Sequence, residues 1–248
     1  MAMATAQAKQ PTTDIYYPDS DGKPMADNTI QADAMTIIFN NLRAMFAENP
    51  DVFVAMDLLW YPVQGKPRIR VAPDVMVAIG RPKGHRGSYK QWEESGVAPQ
   101  VVFEVLSPGN RKAAMNAKRR FYAKYGVQEY YIYDPDTGKW QGWQRRGKRL
   151  MRIRDMVGWR SPLLGIVFRQ GHVEYPGLLR ANMRPFLTFE ELERVAELEH
   201  LRAEQARLQA EQERQRAEQE RQRAEQERQR AERLAQRLRE LGIEPDEA

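Results

Sequence analysis

The sequence predicts a mixed α/β domain followed by a long charged helix, and three observations lead there. A continuous apolar run, Val101-Val102-Phe103-Glu104-Val105-Leu106, reads as a strand covered on both faces, with a carboxylate set inside it. Around it, helical and strand-like stretches follow one another as helix, strand, strand, strand, helix, strand, an αβββαβ order with further strands at the periphery. From Thr188 the composition changes to a charged seven-residue repeat. The expected division is an N-terminal arm over 1–27, the α/β domain over 28–190 and a helical tail over 191–248.

The arm is small and polar, without periodicity, and is expected to settle on the domain near Tyr16-Tyr17-Pro18. Asn28 or Thr29 can cap a first helix. Ile30, Met35, Ile37, Ile38, Leu42 and Phe46 follow at close to helical spacing, and Asn49-Pro50 stops it. Residues 52–61 read as one strand, and 63–67 as a turn into a second strand over 68–79, so the two form a hairpin. Glycine and basic residues make 80–88 a flexible loop, and 89–94 a short helical turn. The central strand ends at Ser107-Pro108. A basic helix then runs over 111–125, closed by Gly126. Strands follow over 129–133, 139–145 and 150–154, the last two meeting near Gly147, with edge strands over 163–169 and 172–175.

In the tail, Ala-Glu-Gln-Glu-Arg-Gln-Arg occurs three times in succession, from Ala210, Ala217 and Ala224. Opposite charges fall at i,i+3 and i,i+4, as in Glu211/Arg214 and Arg214/Glu218, which supports a long helix. Its best seam is apolar only at its two ends. The middle offers one Ala per heptad, so a solvated single helix and a weak coiled coil are both open. Gly242 and Pro245 end the helix.

Composition narrows the function. The chain has no Cys, which excludes a disulfide framework, a thiolate metal site and a Cys nucleophile. No apolar run reaches the length of a membrane span, and residues 1–13 lack a signal peptide's apolar centre, so a cytoplasmic protein without membrane attachment is expected. The formal charge of +5 is uneven. Residues 186–248 carry 12 Arg against 17 Asp and Glu, whereas residues 1–185 carry 27 Lys and Arg against 17 Asp and Glu, a net of +10. A body so basic suits a polyanion such as nucleic acid, although a merely solvated basic surface has the same composition.

Glu104 poses the chemical question, because a buried carboxylate requires a cation, hydrogen-bond donors or a proton. Alternation puts it with Val102 and Leu106, opposite Val101, Phe103 and Val105. Asp74, in Ala72-Pro73-Asp74-Val75, is a second strand-borne acid. If the two strands are neighbours, the paired carboxylates suit Mg²⁺ or Mn²⁺; each acid could equally be paired with Arg or Lys. Lys118 shares helical spacing with Phe121, Tyr122 and Tyr125 and so borders the packed face, unless it is an ordinary surface lysine. His85, His172 and His200 are isolated, so no histidine metal site or Ser-His-Asp triad is expected. There is no P-loop or dinucleotide fingerprint.

Taken together, Pro73-Asp74, Glu104-Val105-Leu106-Ser107-Pro108, Lys118-x-x-x-Tyr122 and Gly126-Val127-x-Glu129-Tyr130-Tyr131-Ile132-x-Asp134-Pro135 resemble the Uma-two family of bacterial endonucleases. That family lies within the PD-(D/E)XK, restriction-endonuclease-like superfamily. The resemblance spans about residues 28–190 and implies that superfamily's αβββαβ core. It also implies metal-dependent phosphodiester hydrolysis on DNA, with Asp74 and Glu104 holding Mg²⁺ (or Mn²⁺) and Lys118 as the catalytic lysine. Leu106 stands where the superfamily usually has that lysine, so the helix-borne Lys118 takes its place. Gln31 or Asp33 on the first helix is a further candidate, and Tyr122 is expected to pack beneath the site. Arg81, Lys83 and Arg86 on the loop, and Arg111, Lys112, Arg119 and Arg120 on the helix, are the expected DNA-phosphate contacts. A homodimer, through the core or the C-terminal helix, is the other expected partner. The competing reading is a degenerate nuclease scaffold that acts as an oligomerisation or adaptor module through its tail.

Overall fold

A computed structural model describes residues 15–22, 24–107, 112–172 and 175–240. The chain divides into two compact units, one ending at Phe189 and one starting at Glu190. The first unit is built on a six-stranded mixed sheet whose strands are β1 (Val52–Met56), β3 (Val75–Ile79), β5 (Val101–Val105), β6 (Glu129–Asp134), β7 (Lys139–Arg146) and β8 (Arg149–Arg152), in that spatial order. Only β5 and β6 pair in parallel; helix α2 (Lys112–Tyr125) makes the crossover between them. Helix α1 (Thr29–Met45) precedes β1. With the two-residue strands set aside, the core order is therefore αβββαβ.

Asn28 caps α1 by accepting a 2.8 Å hydrogen bond from the Gln31 amide. One face of α1 then packs Ala34, Met35, Ile38 and Leu42 on Val75, Val77, Val101, Phe103 and Val105 of the sheet. Alternation turns Met76, Ala78 and Val102 to the opposite face, where Met115 and Tyr122 of α2 cover them together with Trp60 and Tyr130. Both faces of β5 are buried, which is why its apolar pattern is continuous rather than alternating. Gly126, at φ 110°, ends α2 in a conformation that side-chain-bearing residues rarely adopt.

The segment 52–79 departs from the expected hairpin. β1 does pair antiparallel with β3, but the strand stops at Met56. Asp57 turns the chain at φ 48°, and the next strand, β2 (Trp60–Tyr61), pairs in parallel with β4 (Tyr89–Lys90) as a separate ribbon. Residues 89–90 are thus a strand where a helical turn was expected. The reason is tertiary: the Trp60 and Tyr89 side chains are both needed in the core beneath α2, and the single long strand would have carried Trp60 past it. The strand expected from residue 68 begins only at Val75, with Val71 bridging back to Trp60. The loop 80–88 is pinned rather than free, since Arg81 and Arg86 bind Glu94 at 2.8 and 2.5 Å. At the periphery, β9 (Val167–Phe168) and β10 (Leu178–Leu179) form a two-stranded ribbon, and His172 and Tyr175 form only an isolated bridge.

The arm is anchored where expected. Tyr61 donates to the Pro18 carbonyl at 2.6 Å, and the Tyr17 ring packs on Tyr61 and Trp92 at 5.2 and 5.0 Å. The second unit is a single helix, α3 (Phe189–Glu240), of 52 residues, none of them buried within it. Glu190 and Glu191 in its first turn and Arg237 and Arg239 in its last complement the helix dipole. Pairs such as Arg228–Glu232, at 3.1 Å, support its surface. Gly242 and Pro245, the expected stop, lie outside the described residues. No helix of the described residues is long and apolar enough to cross a membrane.

Candidate active site

The register of the central strands brings Asp74 and Glu104 together. β3 and β5 run antiparallel with Val75 opposite Phe103, so the next position along places Asp74 opposite Glu104. Facing residues on neighbouring strands point to the same side of a sheet. Here that is the α2 side, because Glu104 follows Val102 in alternation. Asp74 accepts a 2.6 Å hydrogen bond from the Val105 amide, which ties its carboxylate to the end of β5.

Glu104 is only 1% exposed, and both of its oxygens are engaged. Lys118 Nζ donates to Oε2 at 2.5 Å, and the Tyr122 hydroxyl donates to Oε1. Lys118 and Tyr122 are one helical turn apart, so α2 presents both to the same carboxylate. Tyr122 was expected beneath the site as packing; it also orients the acid. Among the three explanations open for a buried Glu104, the structure shows a cation and a hydrogen-bond donor acting together.

The electrostatics are those of two acids sharing a poorly solvated corner with one cation. Burial, then the neighbouring Glu104 carboxylate, pushes Asp74 well above its ordinary pKa. Burial alone would lower the pKa of Lys118. The Glu104 and Asp74 carboxylates outweigh that effect and hold it above its usual value, so the ammonium stays charged. Tyr122 is raised well above its ordinary value, chiefly by burial and then by Glu104, and remains a proton donor.

One acid beside the pair was missed from the sequence. Met56 faces Val75 in the β1–β3 register, so Asp57 lies beside Asp74 at the end of the same row, and its amide donates to the Asp74 carbonyl at 3.2 Å. Burial, Asp21 and Glu104 together raise its carboxyl to about 6, against the lowering effect of Lys118. The available signal was a lone acid inside an apolar decapeptide, which the reading of 52–61 as one strand passed over. Of the helix-borne candidates, Gln31 donates to the Val105 carbonyl at 3.0 Å, on the far side of β5 from the acids. Asp33 is exposed and is not brought to the site.

The expected DNA contacts separate into two groups. Arg81, Lys83 and Arg86 follow the far end of β3, about 17 Å of strand from Asp74. They are already engaged: both arginines with Glu94, Arg86 also over the Phe53 ring at 4.0 Å, and Lys83 with the Phe46 and Ala47 carbonyls at 2.6 and 2.5 Å. The structure does not bring this loop to the carboxylate pair, because Glu94 and the C-terminal end of α1 compete for its cations. On α2, Arg119 lies over Trp143 at 5.7 Å and Arg120 is exposed. Arg111 lies outside the described residues, as does the Lys112 side chain.

The donor set fits a hard divalent cation. It offers two facing carboxylates, and Mg²⁺ commonly binds through one or two carboxylates while keeping several waters. Among the described residues no group of three or more His, Asp or Glu side chains could hold a metal ion by itself. Two cavities flank the sheet. The larger, about 680 Å³, lies along edge strand β1 between α1 and residues 83–86, away from the acids. The other, about 510 Å³, opens beside Glu104 between α2 and strands β6 to β8.

An αβββαβ core carrying facing acids at the ends of its second and third long strands, with a lysine against one of them, defines a restriction-endonuclease-like domain. Comparison with known proteins agrees. The model of the Uma2 family, described as "Putative restriction endonuclease", matches residues 13–160, and the chain belongs to that family. Among solved structures it is similar to "a putative nuclease belonging to DUF820" from Anabaena variabilis, at 14% identity and a TM-score of 0.41. That alignment covers 58% of this chain and 78% of the other. No curated protein matches the chain.

Proposed function

We propose that the protein is a divalent-metal-dependent endonuclease that hydrolyses phosphodiester bonds in DNA, with Asp74, Glu104 and Lys118 as its reacting centre. The observation that carries this reading is the convergence of two facing carboxylates and one ammonium at the ends of β3 and β5. A structural ion pair would need only one of the acids. Asp74 and Glu104 would hold Mg²⁺ or Mn²⁺, which when bound polarises the scissile phosphate and lowers the pKa of a coordinated water.

The chain's own residues have distinct tasks. Val105, through its amide, fixes the Asp74 carboxylate; Tyr122 fixes the Glu104 side chain through one oxygen. Lys118 keeps its proton and lies where it can donate to a phosphate oxygen as negative charge grows there. The net charge of +10 over residues 1–185 supports a polyanionic substrate. Under this reading α3 takes no part in the chemistry.

Nicking of supercoiled DNA by the full chain tests the proposal. Cleavage is expected with Mg²⁺ or Mn²⁺, to stop with chelator, and to be absent in Asp74→Ala and Glu104→Ala proteins that still melt cooperatively. Unchanged cleavage by both variants would remove the reacting centre from this corner.

A further inference from the structure

The cavity beside Glu104 has a chemical character of its own. In the β5–β6–β7 register, Ile132 faces Glu104 and Gln141 faces Ile132, so the cavity floor begins about 5 Å, one strand spacing, from the acid. Arg119, on its wall, immediately follows Lys118 on α2. Leu106, Met115, Ile132 and the Trp143 ring supply apolar surface. At about 510 Å³ the cavity is of the size that takes a small organic ligand.

Two cations line it without a carboxylate partner. The guanidinium carbons of Arg119 and Arg152 each lie 5.7 Å from the centre of the Trp143 ring. Among the described residues neither is in a salt bridge, in contrast to Arg81 and Arg86, which share Glu94. The Arg119 Nε is buried and, among the described residues, has no hydrogen-bond partner. A desolvated donor left in that state is costly, and the Tyr130 hydroxyl, which feels the Arg119 charge, is likewise buried without a partner among the described residues, so an incoming acceptor is favoured there. Asn116 and Gln141 add side-chain amides, each able to donate and to accept.

We propose that this cavity is a nucleotide subsite for the DNA strand next to the scissile phosphate, a proposal that rests on the nuclease reading above. Arg119 and Arg152 grip a phosphate oxygen, with Arg119 Nε supplying one of the donors. The apolar floor receives the plane of a base, and the Asn116 and Gln141 amides meet its edge. That edge contact makes the subsite a source of sequence preference, which phosphate contacts alone do not provide.

Fluorescence anisotropy of the full chain with labelled DNA oligonucleotides, in chelator to prevent cleavage, tests the subsite. Arg152 is exposed, so Arg152→Ala threatens the fold little; it is expected to weaken binding about tenfold for every sequence and to reduce the salt slope by about 1. Asn116→Ala/Gln141→Ala should leave the salt slope unchanged and narrow the spread of affinities among oligonucleotides differing at one base. Wild-type affinity and slope in Arg152→Ala and in Arg119→Ala/Arg152→Ala would overturn the subsite while leaving cleavage through Asp74 and Glu104 intact. A wild-type chain that binds no DNA would overturn both.

Discussion

Glu104 and Glu129 sit on neighbouring strands, and each is 1% exposed, yet the protein treats them in opposite ways. Glu129 lies at the start of β6 on the α1 side of the sheet and meets only neutral donors. The Ser161 hydroxyl donates to it at 2.5 Å, the Leu163 amide at 3.0 Å and the Tyr131 hydroxyl at 3.0 Å. It pins the segment 161–165 to the sheet and has no second acid beside it. Glu104, at the other end of β5, has a cation, one neutral donor and a facing acid. Burial alone therefore does not distinguish the two acids; what does is a facing acid and a cation held against one of them.

The largest expected effect lies on the Glu104 side. Asp74→Asn or Glu104→Gln should lower DNA cleavage about 10²-fold or more, whereas Glu129→Gln should leave cleavage per folded molecule unchanged. An equal loss in all three, measured as plasmid nicking, would erase the distinction. Lys118→Met is expected to lower cleavage by about 10²-fold as well, with Lys118→Arg recovering part of it, because the proposed role of Lys118 rests on its charge. A Lys118→Met enzyme at full activity would reduce the lysine to an ordinary ion-pair partner.

Stability should show the reverse ranking. Glu129→Ala strands three donors and is expected to cost about 3 kcal/mol, read from denaturant melts. pH sharpens the same point. Burial is the main influence on Glu129 and raises its pKa, with the Ser161, Leu163 and Tyr131 hydrogen bonds partly opposing it. The folded chain then binds that proton more tightly than the unfolded chain does. The resulting stability is fully present below the ordinary value of 4.5 and is lost as pH rises through the raised value. Glu129→Gln should flatten that part of the stability profile; an unaltered slope would contradict the assignment. The smallest effect is expected from Tyr122→Phe, which removes one donor to Glu104 and should cost about 1.5 kcal/mol while leaving most of the cleavage.

Much of the site could be read from residue order. Asp74 and Glu104 stood out because acids in apolar strands are hard to explain by solvation; Lys118, which spacing left open as an ordinary surface lysine, was singled out by the family resemblance. Asp57 did not stand out, because its place beside Asp74 depends on a chain reversal at φ 48° that no local pattern demands. The loop 80–88 misled for a related reason. Its composition is that of a free basic loop, and only the fold puts Glu94 within reach of both its arginines.

By itself the sequence determined the α/β order, the buried faces of α1 and β5, the charge division at the tail and the presence of acids in two apolar strands. These follow from periodicity and burial cost, which act over a few residues. Only the tertiary structure decided that Asp74 faces Glu104 rather than an arginine, that β2 leaves the main sheet, and that Arg119 and Arg152 both lie over Trp143. Register and side-chain pairing join positions that are distant along the chain. Their energies belong to the packed sheet and α2 together, and no short window of residues contains them.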